Sequence, residues 1–209
     1  MHAPTFVHLR LHSEYSIVDG TIRVADAVAA ATADGMPALA LTDLANMFGL
    51  VKFYQAARSA GLKPVIGCDV WITHESERDQ PWRLLLLASS HEGYLRLCEW
   101  LSRGYRQNQH RGRAELRREW FDEGTGGLIA LSGARAGDVG QALIQGNMTA
   151  ASVAARAWST RFPGRYYLEV QRAGGGPDLL VPLVRDAIRA VDVAAARIDV
   201  DLAFLGEKP

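Results

Sequence analysis

His8, Arg10 and His12 occupy every second position of Phe6-Val7-His8-Leu9-Arg10-Leu11-His12-Ser13, alternating with Val7, Leu9 and Leu11. In an extended strand successive side chains point to opposite faces, so the spacing predicts two imidazoles and a guanidinium on one face and an apolar ridge on the other. Neutral imidazole is a ligand for divalent cations, whereas Arg carries a permanent charge that repels them. Two unit positive charges about 4 Å apart repel by roughly 4 kcal/mol at an effective dielectric near 20, and a divalent ion doubles this. Arg10 and a metal therefore compete for one place, and Arg10 is expected to stand in for the metal. From these residues alone, a solvated strand at a sheet edge is the alternative reading.

The elements that must hold this face follow from apolar patterning. Runs suited to buried strands occur at 6–12, 38–41, 65–72, 84–88, 128–131, 166–170 and 198–204. Helical stretches lie between most of them: 22–33 ending at Asp34-Gly35, 49–60 ending at Gly61, 92–101 ending near Gly104, and a long amphipathic helix over 179–196. Alternation of this kind implies an α/β fold with a mostly parallel sheet and helices outside it, and seven strand candidates favour a closed or nearly closed barrel. Functional groups of such folds sit at the carboxyl ends of strands. That rule points to His12, Asp43-Leu44, Asp69, Ser132-Gly133 and Asp201, although Asp43 reads locally as a helix or turn cap.

With 209 residues, 48% of them hydrophobic and 22% charged, the chain suits one globular domain with a sizeable core. The 23 basic and 23 acidic residues cancel, so any affinity for nucleic acid must come from a local patch. Cys68 and Cys98 lack metal-type spacing, Met1-His2-Ala3-Pro4-Thr5 does not read as a secretory leader, and the expected compartment is the cytoplasm. No apolar run approaches the ~20 residues needed to span a bilayer, so no membrane association is expected.

The opening run, continued through Glu14-Tyr15-Ser16 and Asp19-Gly20, resembles the start of the PHP (polymerase and histidinol phosphatase) domain of bacterial DNA polymerase III alpha subunits. The resemblance extends through Gly35-Met36-Pro37-Ala38-Leu39-Ala40-Leu41-Thr42-Asp43, Gly61-Leu62-Lys63-Pro64-Val65-Ile66-Gly67-Cys68-Asp69, Leu128-Ile129-Ala130-Leu131-Ser132-Gly133 and Tyr166-Tyr167-Leu168-Glu169. It implies a distorted (βα)7 barrel of TIM-like type, residues 1–209 forming a single PHP domain at the amino terminus of a longer polymerase subunit. No palm, fingers or thumb sequence is recognised.

Metal-binding members of that family place His, Asp, Glu and Cys at the barrel mouth, where divalent ions activate water against a phosphoester. On this resemblance the opening His-x-His falls on Arg10 and His12, and an acidic ligand falls on Asp19. The His after Thr-Asp falls on Leu44, the Glu of Gly-x-Glu on Asp69, and the His before the Leu-rich strand on Arg83. The Cys after Leu-Ser-Gly falls on Ala134, and the closing Asp-x-His on Asp201 and Ala203. Three remaining carboxylates facing one another would repel unless a cation lay between them. Arg10 and Arg83 would supply it by pairing with the acids and leaving no open coordination position. The expectation is a degenerate metal pocket that needs no cofactor, with Zn or Mn at a residual site as the alternative.

The implied role is a non-catalytic scaffold in DNA replication that supports the polymerase and docks its proofreading exonuclease subunit, with the rest of the polymerase III holoenzyme as partner and DNA met indirectly. A metal-dependent phosphoesterase or 3'-5' exonuclease using His12, Asp19, Asp69 and Asp201 is the enzyme-class rival. Arg103, Arg106, Arg111 and Arg113 lie in a basic segment that either contacts a phosphate backbone or forms a solvated loop followed by a helix start. Gly174-Gly175-Gly176-Pro177 reads as a turn, since no strand-loop-Lys pattern accompanies it. The charged alternation of Arg197-Ile198-Asp199-Val200-Asp201 fits the family less well and suggests truncation at the carboxyl end, with an exposed edge strand.

Overall fold

Val24, Ala27, Val28 and Ala31 fall at i, i+3, i+4 and i+7 and are all buried, which gives α1 (Val24–Ala33) its single apolar face. The computed structural model describes residues 6–170 and the backbone of 179–182, 188–192 and 197–200. After α1 come β1 (Ala38–Leu41), α2 (Leu50–Ser59), β2 (Lys63–Ile72), β3 (Trp82–Ala88), α3 (His91–Gln107), β4 (Gln109–His110), β5 (Arg113–Leu116), β6 (Leu128–Leu131), α4 (Asp138–Ile144), α5 (Met148–Arg161), β7 (Tyr166–Val170), β8 (Leu179–Pro182), β9 (Ile188–Asp192) and β10 (Arg197–Val200). The described residues pack as two units, one reaching to Pro81 and resuming over Leu85–Leu128, the other made of Trp82–Leu84 and the chain from Ile129 onward.

In the first unit β1 runs parallel to the front half of β2, from Ala38 opposite Lys63 to Leu41 opposite Ile66, while the far end of β2 pairs in parallel with β5. β4 and β5 form an antiparallel hairpin in which His110 faces Arg113. Phe53, Leu39, Leu41, Leu62 and the buried face of α1 make one apolar cluster, against which Leu11, Tyr15 and Ile22 pack. Trp100 of α3 stacks on Phe121 with ring centroids 4.7 Å apart. In the second unit β6 pairs in parallel with β7, and β7 antiparallel with β8. Asp138 at the start of α4 accepts a 2.9 Å bond from the indole N–H of buried Trp158 on α5.

Several expectations change. Residues 6–12 do not form a regular strand: Thr42 N–H donates to the Leu11 carbonyl, but Leu11 N–H donates to the Thr42 hydroxyl at 2.8 Å instead of a backbone carbonyl. A side chain thus replaces one rung of the ladder. Helix α3 passes through Gly104 to Gln107, because that glycine permits close packing rather than ending the helix: a Cβ there would sit 3.2 Å from the Glu115 carbonyl oxygen. In the basic segment Arg103 and Arg106 lie on α3, a hairpin turned at Arg111-Gly112 stands where a solvated loop is expected, and the expected helix start follows as a 3-10 helix over Arg118–Glu123. Helices α4 and α5 were not foreseen. The helix expected over 179–196 is overturned where the structure describes it, since 179–182 and 188–192 are strands. Pro182 lacks the N–H a helix interior needs, and β-branched Val181, Ile188 and Val191 favour extended backbone. Among the described residues the sheet is open rather than closed into a barrel, because β8 turns back antiparallel and β9 pairs with β10 in a separate ribbon. The mixed α/β class and the parallel core strands are as read. Gly174-Gly175-Gly176-Pro177 lies outside the described residues.

Candidate functional site

Arg10, His12, Asp19 and Asp69 converge in the first unit. The apolar side of residues 6–13 is anchored by Leu11 in the cluster beneath β1, which leaves Arg10 and His12 on the other side. Asp69 lies in β2 with no solvent exposure, and Arg10 pairs with its Oδ2. His12 approaches the same oxygen through Nε2 at 3.2 Å and reaches Asp19 Oδ1 through Nδ1 at 2.9 Å. Burial pulls the His12 pKa down, but hydrogen bonds and charge from Asp69 and Asp19 outweigh it and leave the imidazole above its ordinary value. The group is thus built to carry a proton opposite two carboxylates.

Backbone and hydroxyl contacts fix the loop that presents Asp19. Ser16 donates its hydroxyl to Asp19 Oδ1 at 2.8 Å and accepts from Leu44 N–H at 3.0 Å. Leu44 bridges in parallel to Asp69, and its side chain is buried, so an apolar group occupies the end of β1 where the resemblance implies an imidazole. Asp43 beside it is buried and takes both donors of Ser13, the N–H at 2.6 Å on Oδ1 and the hydroxyl at 2.9 Å on Oδ2. Burial pushes its carboxyl pKa up, while the Ser13 donors pull it back only in part. Asp43 clamps the preceding loop rather than capping a helix, a role that its local sequence did not signal because Ser13 is thirty positions away. Below it the buried Cys68 thiol, pushed well up by burial, donates to the Asp43 carbonyl at 3.2 Å.

Arg83 on β3 and Ala134 belong to the second unit. Ala134 is buried at the start of a one-turn 3-10 helix, and the preceding Gly133 has φ +74° and passes so near Arg83 that a Cβ would meet its carbonyl oxygen at 2.3 Å. Only glycine fits there. Asp201 and Ala203 lie outside the described residues. Among the described residues no group of three or more His, Cys, Asp and Glu side chains is placed to hold a metal ion.

Much of the basic segment is paired with acids. Arg103 pairs with Glu123 at 2.7 Å and lies over Trp120, Arg111 pairs with Asp79 at 2.9 Å, and Arg113 approaches buried Glu115 at 3.4 Å. Glu115 also receives Arg78 and the Thr73 hydroxyl, each at 3.2 Å. This buried carboxylate was missed in the sequence, where it reads as the lone acid of a basic run.

Residues 8–173 match the PHP domain, and the chain belongs to that family. It is 47% identical over 168 residues to the DNA polymerase III subunit alpha of Pseudomonas fluorescens, which covers 80% of this chain and 14% of that protein. The same subunit of Escherichia coli strain K12 is 42% identical over 174 residues, or 83% of this chain and 15% of that protein. The chain therefore spans about one seventh of the length of these relatives. A solved amidohydrolase structure from Chromobacterium violaceum aligns with 47% of this chain and 32% of its own at 23% identity and a TM-score of 0.38. Among the described residues no helix is long and apolar enough to cross a membrane.

Proposed function

We propose that this chain is the amino-terminal PHP region of a replicative DNA polymerase III alpha subunit, working in the cytoplasm as a non-catalytic scaffold that supports the polymerase and docks a proofreading exonuclease subunit. The observation that carries the non-catalytic part is the guanidinium of Arg10 seated on Asp69, with Leu44 buried alongside. A divalent ion on Asp69 would meet a fixed positive charge, and the two nitrogens of His12 are already directed at carboxylates. The donor set does not suit a metal. The replication role is supported by the alpha-subunit relatives, and the exonuclease partner by the family resemblance alone.

Metal analysis of the purified chain after dialysis against zinc and then manganese tests the scaffold reading. Less than a tenth of an equivalent of either metal is expected, with no hydrolysis of bis-p-nitrophenyl phosphate above an Asp19→Ala control. Stoichiometric metal, or hydrolysis that the control lacks, would establish the phosphoesterase or exonuclease reading instead. Size-exclusion chromatography with the purified exonuclease subunit tests docking separately, and the expected result is co-elution.

A further inference from the structure

The start of α2 and one side of α3 face each other across an open apolar groove of about 590 Å³ that the site above does not use. On α3 its wall is the stripe Tyr94, Cys98, Leu101 and Tyr105, spaced i, i+4, i+7 and i+11, and the facing wall carries Phe48 and Val51. Phe48 is 70% exposed and Val51 64%, large apolar groups left in water side by side near the start of one helix. Contiguous exposure of this kind marks an interaction surface, whereas single exposed apolar residues do not.

Charge distinguishes one end of the groove. Arg106 lines it one residue beyond Tyr105, at the carboxyl end of α3. Among the described residues of 103–117, Arg103, Arg111, Arg113 and Arg117 each have a carboxylate partner and Arg106 has none. From Tyr94 to Arg106 the stripe runs ~18 Å along the helix, about three turns. The two walls are helical or lead into a helix, so the groove offers no sheet edge to an extended peptide. A helix brings its own backbone hydrogen bonds and so fits walls that offer none better than a strand does.

We propose that this groove docks an amphipathic helix of a partner protein, one with an apolar ridge at i, i+4 and i+7 spacing and a carboxylate in the turn that meets Arg106. The partner is defined by that chemistry, and the inference holds whether or not the exonuclease subunit is the protein that carries the helix.

Two fluorescein-labelled, hydrocarbon-stapled 16-residue helical peptides with the same leucine ridge, one with two glutamates in its terminal turn and one with two lysines there, test this by anisotropy against the 209-residue chain. The glutamate peptide is expected to bind at least tenfold more tightly than the lysine peptide, and Arg106→Glu to invert that order. Val51→Glu, which places a charge on the exposed wall, is expected to weaken both peptides by tenfold or more while the thermal melt is unchanged. Equal affinity for the two peptides, an order that survives Arg106→Glu, or no peptide binding alongside saturable binding of the apolar dye anilinonaphthalene sulfonate would overturn the proposal. So would sedimentation showing a dimer of this chain that Val51→Glu dissolves.

Discussion

Arg10 donates from Nη1 to Oδ2 of Asp69, a carboxylate with no exposure to solvent. His12 is directed at the same oxygen, so one buried acid organises a guanidinium and an imidazole from a single stretch of chain. The arrangement resembles a ligand sphere in its convergence and differs in having charge where a metal would need lone pairs.

Replacing Arg10 by Met keeps the aliphatic stem and removes the guanidinium from buried Asp69. A loss of roughly 3 kcal/mol in stability is expected from urea unfolding, because the stranded carboxylate keeps its desolvation cost. Asp69→Leu in the Arg10→Met background should recover part of that loss, since both charges are then gone. Strict additivity of the two substitutions would show that they do not form a unit.

The raised pKa of His12 gives stability a pH dependence with a definite sign. The folded state holds the proton more tightly than the unfolded chain does, so this contribution is complete below about pH 6.5 and is lost as pH rises through the higher folded value. Urea midpoints should therefore fall across that window in the parent chain. In His12→Gln the fall should flatten, and an unaltered slope would assign the dependence to another group.

Asp43 accepts two bonds from Ser13 out of contact with water. Asp43→Ala leaves the buried Ser13 donors unmet and is expected to cost about 1 to 3 kcal/mol. Asp43→Asn keeps one acceptor and adds a donor that the Ser13 hydroxyl oxygen accepts, so its cost should be less than half as large by the same measurement.

In the second unit Asp138→Ala strands the indole N–H of Trp158, which is 1% exposed, and a loss of about 1 to 3 kcal/mol is again expected. Trp158→Phe removes the donor and keeps an aromatic body, and adding it to Asp138→Ala should cost little more than either substitution alone. Thermal melts of the three variants read this directly.

Binding to DNA, if dominated by the basic hairpin, would fall steeply with salt, by about 0.9 log units of affinity per log unit of salt for each phosphate neutralised. Arg103, Arg111 and Arg113 already face Glu123, Asp79 and Glu115. The expected slope, from anisotropy with a 20-base-pair duplex between 50 and 200 mM salt, is no steeper than that for a single phosphate. A slope matching three or four phosphates would mean that the ion pairs open for DNA.

Strands 38–41, 128–131 and 166–170 were legible to the residue, because continuous apolar runs bounded by turn residues admit few other conformations. The sequence predicts that Arg10 and Arg83 pair with the remaining acids without singling out a partner, and the structure seats Arg10 on Asp69. Asp43 and Glu115 were not legible, since each acts through partners distant in sequence or turned toward it only by the hairpin. The stretch 148–161 hid its helix in small residues, with Ala151, Ala155 and Trp158 as its only buried positions. In 179–196 the amphipathic pattern predicts a long helix, but Pro182 withholds the N–H a helix interior needs and 179–182 and 188–192 are strands.

The hydroxyl of Thr42, interposed where a peptide carbonyl would ordinarily stand, puts a side chain among the backbone bonds that attach the leading stretch to β1. Salt screens little a pair whose acid is shielded from water, so opening should begin at the Leu11 amide held by that hydroxyl, seen in hydrogen exchange while β1 and β2 behind it stay protected. The same polypeptide thus has a fastening at its front that depends on one hydroxyl, set on a platform that depends on none.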